Sequence, residues 1–388
     1  MARLLVVLPV LVLTLFGAHQ SPKAQVHFGY SGLHTLEQGV YEALSLDARR
    51  AFVADRFSWA EGLGAEVLRT GSASPRLLTL GGDEPDWVRL DHDIGALMSA
   101  GVEVCVTFPD VPKSDEEAAH QARLAALLER YDGDIDFGVD PIDLNAEFPD
   151  INGSGSITND DWEASNEVKL AWARAHQLTL LEVGERVRQL EDTTNLQEGA
   201  YADFVRTVLT LSTEGAEPMS VMLGSVWVHE DSQQRFVDRL SSLDETLRAQ
   251  IQAASVLVHE EIETQDLGNA LINIEKFETW LDAGGFDGSE RWLGALSVPS
   301  SDAVGTCAGG GCSERTQVAT LVRLVESALR AGYTRLLYER PLEVIGADVE
   351  EDAWVSTGLL TREFVPGLDP TIMPIKPRPA YAVWRWLQ

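Results

Sequence analysis

Basic side chains are scarce in this sequence. The 388 residues contain 30 Lys and Arg against 61 Asp and Glu, which gives a formal net charge of −31. A chain with this charge repels phosphate backbones, so nucleic acid is excluded as a partner. The excess of acids suits a neutral ligand, bound cations or a soluble secreted protein.

The sequence begins with an apolar run that is short for a membrane span. Met1, Ala2 and Arg3 precede the run Leu4–Ala18, whereas a membrane-spanning helix needs about 20 apolar residues. A basic start before a short apolar run is typical of a secretory signal. We therefore expect residues 1–24 to be a signal peptide and residues 25–388 to form the mature protein. This predicts a secreted or periplasmic protein without a stable membrane anchor.

Cysteine is rare, with three residues in the whole chain. Cys307 and Cys312 bracket an Ala-Gly-Gly-Gly spacer that is flexible enough for a small disulfide loop in an oxidising compartment. A metal site that uses this pair is less expected, because no His lies nearby at ligand spacing. Cys105 falls inside an apolar strand pattern, which predicts a buried thiol.

Several catalytic signatures are missing. The sequence has no Gly-x-Ser-x-Gly elbow and no His-Glu-x-x-His motif, which argues against an α/β-hydrolase site and a zincin site. No Gly-x-Gly-x-x-Gly turn follows the first predicted strand, which argues against a dinucleotide-binding open sheet.

The chain does contain an alternation of strands and helices. Predicted strands begin near residues 25, 64, 102, 178, 218, 255, 291 and 333, and helical patterns separate most of them. Alternation of this kind predicts an α/β protein with a parallel sheet, and eight units predict a closed (β/α)8 barrel of the TIM type. A doubly wound open sheet is the alternative. The most apolar of these strands, within Leu178–Arg186, ends at a glycine followed by charged residues.

An acidic, Gly-rich insertion over residues 132–162 interrupts the alternation between the third and fourth predicted strands. Within it, oxygen-bearing residues recur at the ligand positions of an EF-hand loop, and Gly155 stands at the position of the sharp turn. The predicted calcium ligands are Asp150, Asn152, Ser154, Ser156, Thr158 and Asp161. Ser154 and Asp161 depart from the usual loop, which predicts weaker binding. The alternative is a polar surface loop without a metal.

Polar and aromatic residues follow the predicted strands, where a barrel collects its ligand contacts. This mixture suits sugar recognition, because rings stack on pyranose faces and carboxylates accept hydrogen bonds from hydroxyls. Each residue alone also fits a structural role, such as a salt bridge or core packing. The candidate ligand contacts are Tyr30, Arg69, Trp227, His259, Glu260 and Glu339.

The order of elements and four segments together resemble the retaining clan A glycoside hydrolases. The segments are Val-Leu-Arg69-Thr-Gly, Tyr131-Asp-Gly-Asp, Glu182-Val-Gly-Glu185-Arg186 and Lys376-Pro-Arg-Pro-Ala-Tyr381. The resemblance implies a (β/α)8 barrel that acts on carbohydrate through two carboxyl groups. In that clan, a Glu preceded by Asn ends the fourth strand and serves as acid/base. A second Glu ends the seventh strand and serves as nucleophile.

This sequence departs from the clan at both catalytic positions. Glu185 stands at the Asn position and Arg186 at the acid/base position, while Trp292-Leu-Gly-Ala295 places Ala295 at the nucleophile. The resemblance therefore implies a carbohydrate-binding barrel that has lost its chemistry. The alternative is an active hydrolase that uses Glu185 with an unorthodox second carboxylate, such as Glu260 or Glu339.

Overall fold

A computed structural model describes the part of the chain that forms the barrel strands and the helices of its C-terminal half. The described residues are 25–31, 64–69, 101–107, 126, 129–130, 137–140, 180–183, 205–210, 220–227, 238, 240–258, 267–298, 313–339, 342–346, 358–364 and 376–388.

Within the described residues, nine parallel strands close into a barrel, and each strand pairs with the next one in chain order. The last strand returns to pair with the first, also in parallel, which closes the sheet. The strands are β1 His27–Ser31, β2 Val67–Arg69, β3 Glu103–Thr107, β4 Phe137–Asp140, β5 Leu180–Val183, β6 Ser220–Trp227, β7 Ile251–Leu257, β8 Glu290–Leu296 and β9 Tyr333–Glu339.

An apolar cluster packs inside the barrel. Six side chains from six different strands contact one another there and are at most 1% exposed, and Leu180 of β5 packs against them. Strands on opposite sides of the sheet can share such a cluster only across the interior, so these side chains form the barrel core. The six residues are Val67, Cys105, Met222, Ala253, Trp292 and Leu337. The buried position of Cys105 confirms the sequence-based prediction.

Four helices lie within the described residues as complete elements. They are α1 Glu245–Arg248, α2 Leu267–Ala283, α3 Glu314–Arg330 and α4 Pro379–Leu387. The Ser313 side chain accepts a hydrogen bond from the Thr316 backbone N–H at 3.2 Å, which caps α3. Gly332 follows α3 with φ of 88°, a conformation that favours glycine. Within the described residues, none of the helices combines the length and apolarity that a membrane span requires.

The helix α4 packs against the outside of the barrel. The Trp384 ring lies edge-on to Phe28 of β1, with ring centroids 5.2 Å apart, and to Tyr338 of β9 at 5.4 Å. Trp384 is fully buried. The side chains of Phe28 and Tyr338 therefore face outward, and their neighbours at alternate positions face the lumen.

A small second sheet follows the barrel. Its strands are β10 Leu342–Gly346, β11 Leu360–Phe364 and β12 Lys376–Pro377, and β10 begins shortly after β9 ends. The buried Gln317 amide of α3 donates hydrogen bonds to the Val298 carbonyl at 2.9 Å and to the Gly358 carbonyl at 3.4 Å. These bonds join the second sheet to the carboxyl end of β8. This sheet was not predicted.

Two predictions about individual elements are wrong. The prediction of eight strands missed β4 (Phe137–Asp140), which lies inside the insertion of residues 132–162 and pairs with both β3 and β5. The four residues of β4 are too few to show a strand pattern in the sequence. The strand forms because β3 and β5 provide hydrogen-bond partners on both sides. The strand predicted to begin near residue 255 begins earlier, at Ile251, as β7. A helical pattern was therefore expected to continue past the point where β7 starts. No Gly or Pro separates the two patterns there.

Candidate functional site

The carboxyl ends of β1, β2 and β9 bring polar side chains to one level of the barrel. Ser31 is the register partner of Arg69 on one side and of Glu339 on the other. Register partners share a face of the sheet, and Arg69 faces the lumen because its contacts lie across the barrel. All three residues are at most 4% exposed. This polar layer lies beyond the apolar core, toward the barrel mouth.

An ion pair crosses the lumen at this level. Arg69 Nη2 donates to Glu182 Oε1 at 3.0 Å, and the two side chains are 2% and 0% exposed. Arg69 Nη1 also donates to the Gly294 carbonyl of β8 at 3.4 Å. The guanidinium thus joins β2 to β5 and β8, which are not its neighbours in the sheet. Because both charges have left water, their pairing offsets part of the cost of burying them.

A β-bulge in β8 sets the direction of the residue beside this ion pair. From Leu293 to Leu296 the strand advances three residues, whereas β9 advances two, from Leu336 to Tyr338. Leu296 is the register partner of Tyr338, whose ring packs outside the barrel against α4, so Leu296 also faces outward. The preceding residue, Ala295, therefore faces the lumen. Bulges are frequent beside active sites, where they redirect a side chain.

The strand β8 brings no carboxylate to the mouth of the barrel. Ala295 is 4% exposed, and the one acid among the seven residues of β8 is Glu290, at the start of the strand. Glu290 accepts hydrogen bonds from Thr334 Oγ1 at 2.6 Å and from Arg335 Nε at 3.3 Å. It is therefore engaged at the opposite end of the barrel, where Arg335 also pairs with Glu103.

Tyr30 requires a correction. Its ring is 0% exposed and lies 6.3 Å from the Trp384 ring, under α4. Burial raises the pKa of the Tyr30 phenol well above its usual value, although hydrogen bonds with Gln388 and Trp384 lower it. Tyr30 thus belongs to the packing between barrel and helix, and we remove it from the candidate ligand contacts. The outward-facing position in β1 explains this, since the sequence pattern did not distinguish the two faces.

The other candidates divide into two groups. Arg69, Trp227 and Glu339 are the last residues of β2, β6 and β9, as the sequence predicted. Outside the described residues lie Glu185, His259, Glu260, the six predicted calcium ligands and both cysteines of the predicted disulfide, which remain predictions. Among the described residues, no three His, Cys, Asp or Glu side chains gather as a metal site would require.

Sequence reasoning missed Glu182 as a site residue. It was part of the motif that carried the family resemblance, but it was assigned no role. The available signal was an acid in the middle of the apolar run Leu180–Val183. A carboxylate fully buried in a strand needs a partner, and the partner is Arg69.

Comparisons with known proteins identify the class of fold. No model of a known protein family matches the chain, and no curated protein does either. Among solved structures, the chain is similar to a GH5_18 glycoside hydrolase from Bifidobacterium longum in complex with Manβ1-4GlcNAc. The TM-score is 0.52 at 12% identity, over 94% of this chain and 78% of that one. A second GH5_18 structure from the same organism gives 0.51 at 11% identity, with the same coverage.

These comparisons support a glycoside hydrolase-like α/β barrel. The chain spans between 50% and 78% of the lengths of the similar structures named for glucuronidases and for GH5_18. At this level of identity, the likeness concerns the fold alone.

Proposed function

We propose that this chain is a secreted carbohydrate-binding barrel that resembles a glycoside hydrolase but does not turn over glycosides. The observation that carries the proposal is Ala295. The bulge in β8, which is the seventh of the eight strands predicted from the sequence, turns this residue into the lumen. The family resemblance assigns the same position to the nucleophile. An alanine cannot form the glycosyl-enzyme intermediate on which the retaining mechanism depends.

A neutral glycan is the ligand class that the described charges favour. The guanidinium of Arg69 is already paired with Glu182, so the lumen offers no uncompensated positive charge from this pair to a sugar acid. Glu339, beside Ser31 at the end of β9, provides a carboxylate that can accept hydrogen bonds from hydroxyls. Trp227, His259 and Glu260 are further proposed contacts at strand ends.

An active hydrolase is the second candidate function. In this alternative Glu185 acts as the acid, and Glu339 or Glu260 supplies the second carboxylate. The observation in its favour is the position of Glu339, which is the last residue of β9 and lies in the polar layer at the barrel mouth. An inverting route would use two carboxyl groups that are farther apart, about 6.5–9.5 Å, with a water between them.

Calcium binding and export complete the proposal. The loop Asp150–Asp161 is proposed to hold calcium as a structural ion, because its spacing follows the EF-hand pattern. The N-terminal signal and a disulfide between Cys307 and Cys312 are proposed together, since both belong to an oxidising compartment. Peptide mapping without reductant would detect the linked peptide, whereas two freely alkylated thiols would contradict the pairing.

Binding is tested with neutral oligosaccharides, beginning with Manβ1-4GlcNAc, the disaccharide present in the related GH5_18 structure. We expect calorimetry to detect binding by the wild type and at least a tenfold loss in Glu339→Gln, which is about 1.4 kcal/mol. The matched control is Glu326→Gln, because Glu326 lies on α3 in an exposed pair with Arg330. Equal affinity in both variants, or no binding by any neutral oligosaccharide, would contradict the proposal.

A further inference from the structure

The bulged position on β8 lies beside the guanidinium of Arg69. Arg69 Nη1 donates to the carbonyl of Gly294, and Ala295 is the next residue along the chain. Because the bulge turns Ala295 into the lumen, a longer acidic side chain at this position would extend toward the same guanidinium. Position 295 is therefore a place, besides that of Glu182, from which a carboxylate could compensate the charge of Arg69.

In this chain the carboxylate that pairs with Arg69 comes from position 182. A guanidinium stays charged at every relevant pH, and a buried one needs a carboxylate with good geometry. Glu182 supplies this carboxylate from β5, at 3.0 Å and without exposure to solvent. The pair spans the lumen, so it also fixes the direction of the Arg69 side chain below the mouth.

We propose that Glu182 is the positioning residue of the binding site. Glu182 binds the Arg69 guanidinium from β5. A carboxylate at position 295 could bind the same guanidinium from β8. The role of Glu182 is thus to present the guanidinium to a bound glycan without taking part in chemistry. The affinity test of this inference rests on the proposed function, because it needs a bound glycan. The stability test needs no ligand and is independent of that function.

A consequence is that an acid at position 295 competes with Glu182 for the same cation. Ala295→Glu places a further carboxylate beside Arg69, where it and Glu182 are two like charges that share one guanidinium, and one of them is disfavoured. Glu182→Gln removes the carboxylate charge that pairs with Arg69 at 3.0 Å. The double variant replaces the carboxylate of Glu182 with one at position 295 beside the same guanidinium. We therefore expect the two substitutions to compensate each other.

The test is a double-mutant cycle by thermal unfolding. We expect Tm to fall by roughly 5 °C or more in Glu182→Gln and in Ala295→Glu, and to recover by more than half in the double variant. If a single variant does not fold, a double variant that folds gives the same result. Additive losses, or a double variant that also fails to fold, would overturn the proposal.

Two controls separate positioning from general stability. Leu296→Glu introduces an acid one residue further along β8 on the outer face, and we expect no rescue of this variant by Glu182→Gln. Arg335→Met removes the ion pairs at the opposite end of the barrel, where Arg335 also lies 4.4 Å from the Trp292 ring centroid. We expect it to lower Tm without changing affinity for neutral oligosaccharides.

Affinity provides the second measurement. We expect Glu182→Gln to lose at least tenfold in affinity for the oligosaccharide bound by the wild type, and the double variant to regain most of it. Unchanged affinity in Glu182→Gln would overturn the positioning role even if the stability cycle compensates. A wild type that binds no oligosaccharide would contradict the proposed function, while the stability cycle would still decide whether Glu182 and position 295 share Arg69.

Discussion

At the scale of single residues, the two ends of the barrel carry different ion pairs. Toward the mouth, Arg69 is paired with Glu182 deep in the interior, whereas at the opposite end Arg335 is partly exposed and contacts Glu103 and Glu290. Water screens the second group more than the first. Removal of one partner of the Arg69–Glu182 pair therefore leaves a buried ion without that partner, and we expect it to cost more than the loss of a partner of Arg335.

Gly29 is required by the close approach of β1 to β2. A Cβ atom added at this residue would lie 2.1 Å from the Val67 carbonyl oxygen and 2.8 Å from Leu337 Cδ2. Since a backbone atom cannot move aside as a flexible side chain can, we expect Gly29→Ala to destabilise the protein by about 1–3 kcal/mol or more. The measurement is urea unfolding followed by fluorescence.

The matched control for this prediction is Gly288→Ala. A Cβ atom at Gly288 would meet no heavy atom within 4 Å. We expect this variant to stay within about 0.5 kcal/mol of the wild type. Equal losses in the two variants would contradict the steric explanation.

Glu278 gives a prediction about pH. Burial raises the pKa of this carboxyl above its ordinary value of 4.5, although the neighbouring Arg291 lowers it. A raised pKa means that the native state binds the proton more tightly than the unfolded chain does. Glu278 therefore lowers the free energy of unfolding as pH rises from about 4.5 through the raised value.

Comparison of the wild type with Glu278→Gln tests this prediction, because glutamine does not titrate. We expect the free energy of unfolding of the wild type to decrease relative to that of the variant between pH 4.5 and pH 7. Urea unfolding at several pH values measures the difference between the two curves. Parallel curves across this range would show that Glu278 has an ordinary pKa.

At the scale of elements, α4 covers the side of the barrel where β1 and β9 meet. Trp384 is fully buried against this seam, whereas Trp386, two residues further along the same helix, is 49% exposed. We expect Trp384→Ala to cost about 3–5 kcal/mol and Trp386→Ala much less. Chemical unfolding of the two variants measures the difference. Similar losses of unfolding free energy in the two variants would contradict the prediction that the buried face of α4 contributes more than the exposed face.

Patterns of apolar residues predicted most of the elements, because buried strands and amphipathic helices each have a distinct period. The strands from β5 to β9 are rich in apolar residues, and α3 carries clear signals at Ser313 and Gly332. The strand Phe137–Asp140 has no such run and depends on its partners in the sheet. The small sheet β10–β12 likewise depends on contacts made after the chain has folded.

The candidate site was harder to predict than the fold. Strand ends were identified correctly for Arg69 and Glu339, since each follows an apolar segment. The direction of a side chain depends on the register between strands, which a single sequence does not reveal. For this reason the sequence did not reveal that Tyr30 lies under α4, nor that Glu182 is the partner of Arg69.

At the scale of the whole molecule, a net charge of −31 favours bound cations. We predict that calcium raises Tm through the loop Asp150–Asp161, because a ligand that binds only the native state stabilises it, by about 2.7 kcal/mol at 100 times Kd. Differential scanning calorimetry with calcium and with chelator measures the shift.

The variants Asp150→Ala and Asp287→Ala distinguish the proposed loop from general screening of charge. Asp287 is an exposed acid in the turn before β8. We expect the calcium response to disappear in Asp150→Ala and to persist in Asp287→Ala. A wild type whose Tm does not change in millimolar calcium would contradict the site.

The central claim is that the barrel binds glycans without glycosidase turnover. The most direct test is a screen of aryl glycosides and neutral oligosaccharides with wild type, Glu185→Gln and Ala295→Glu at equal protein concentrations. We predict binding by the wild type without measurable release of product, and the same binding in Glu185→Gln. Robust turnover by the wild type that disappears in Glu185→Gln would contradict the claim and identify an active hydrolase.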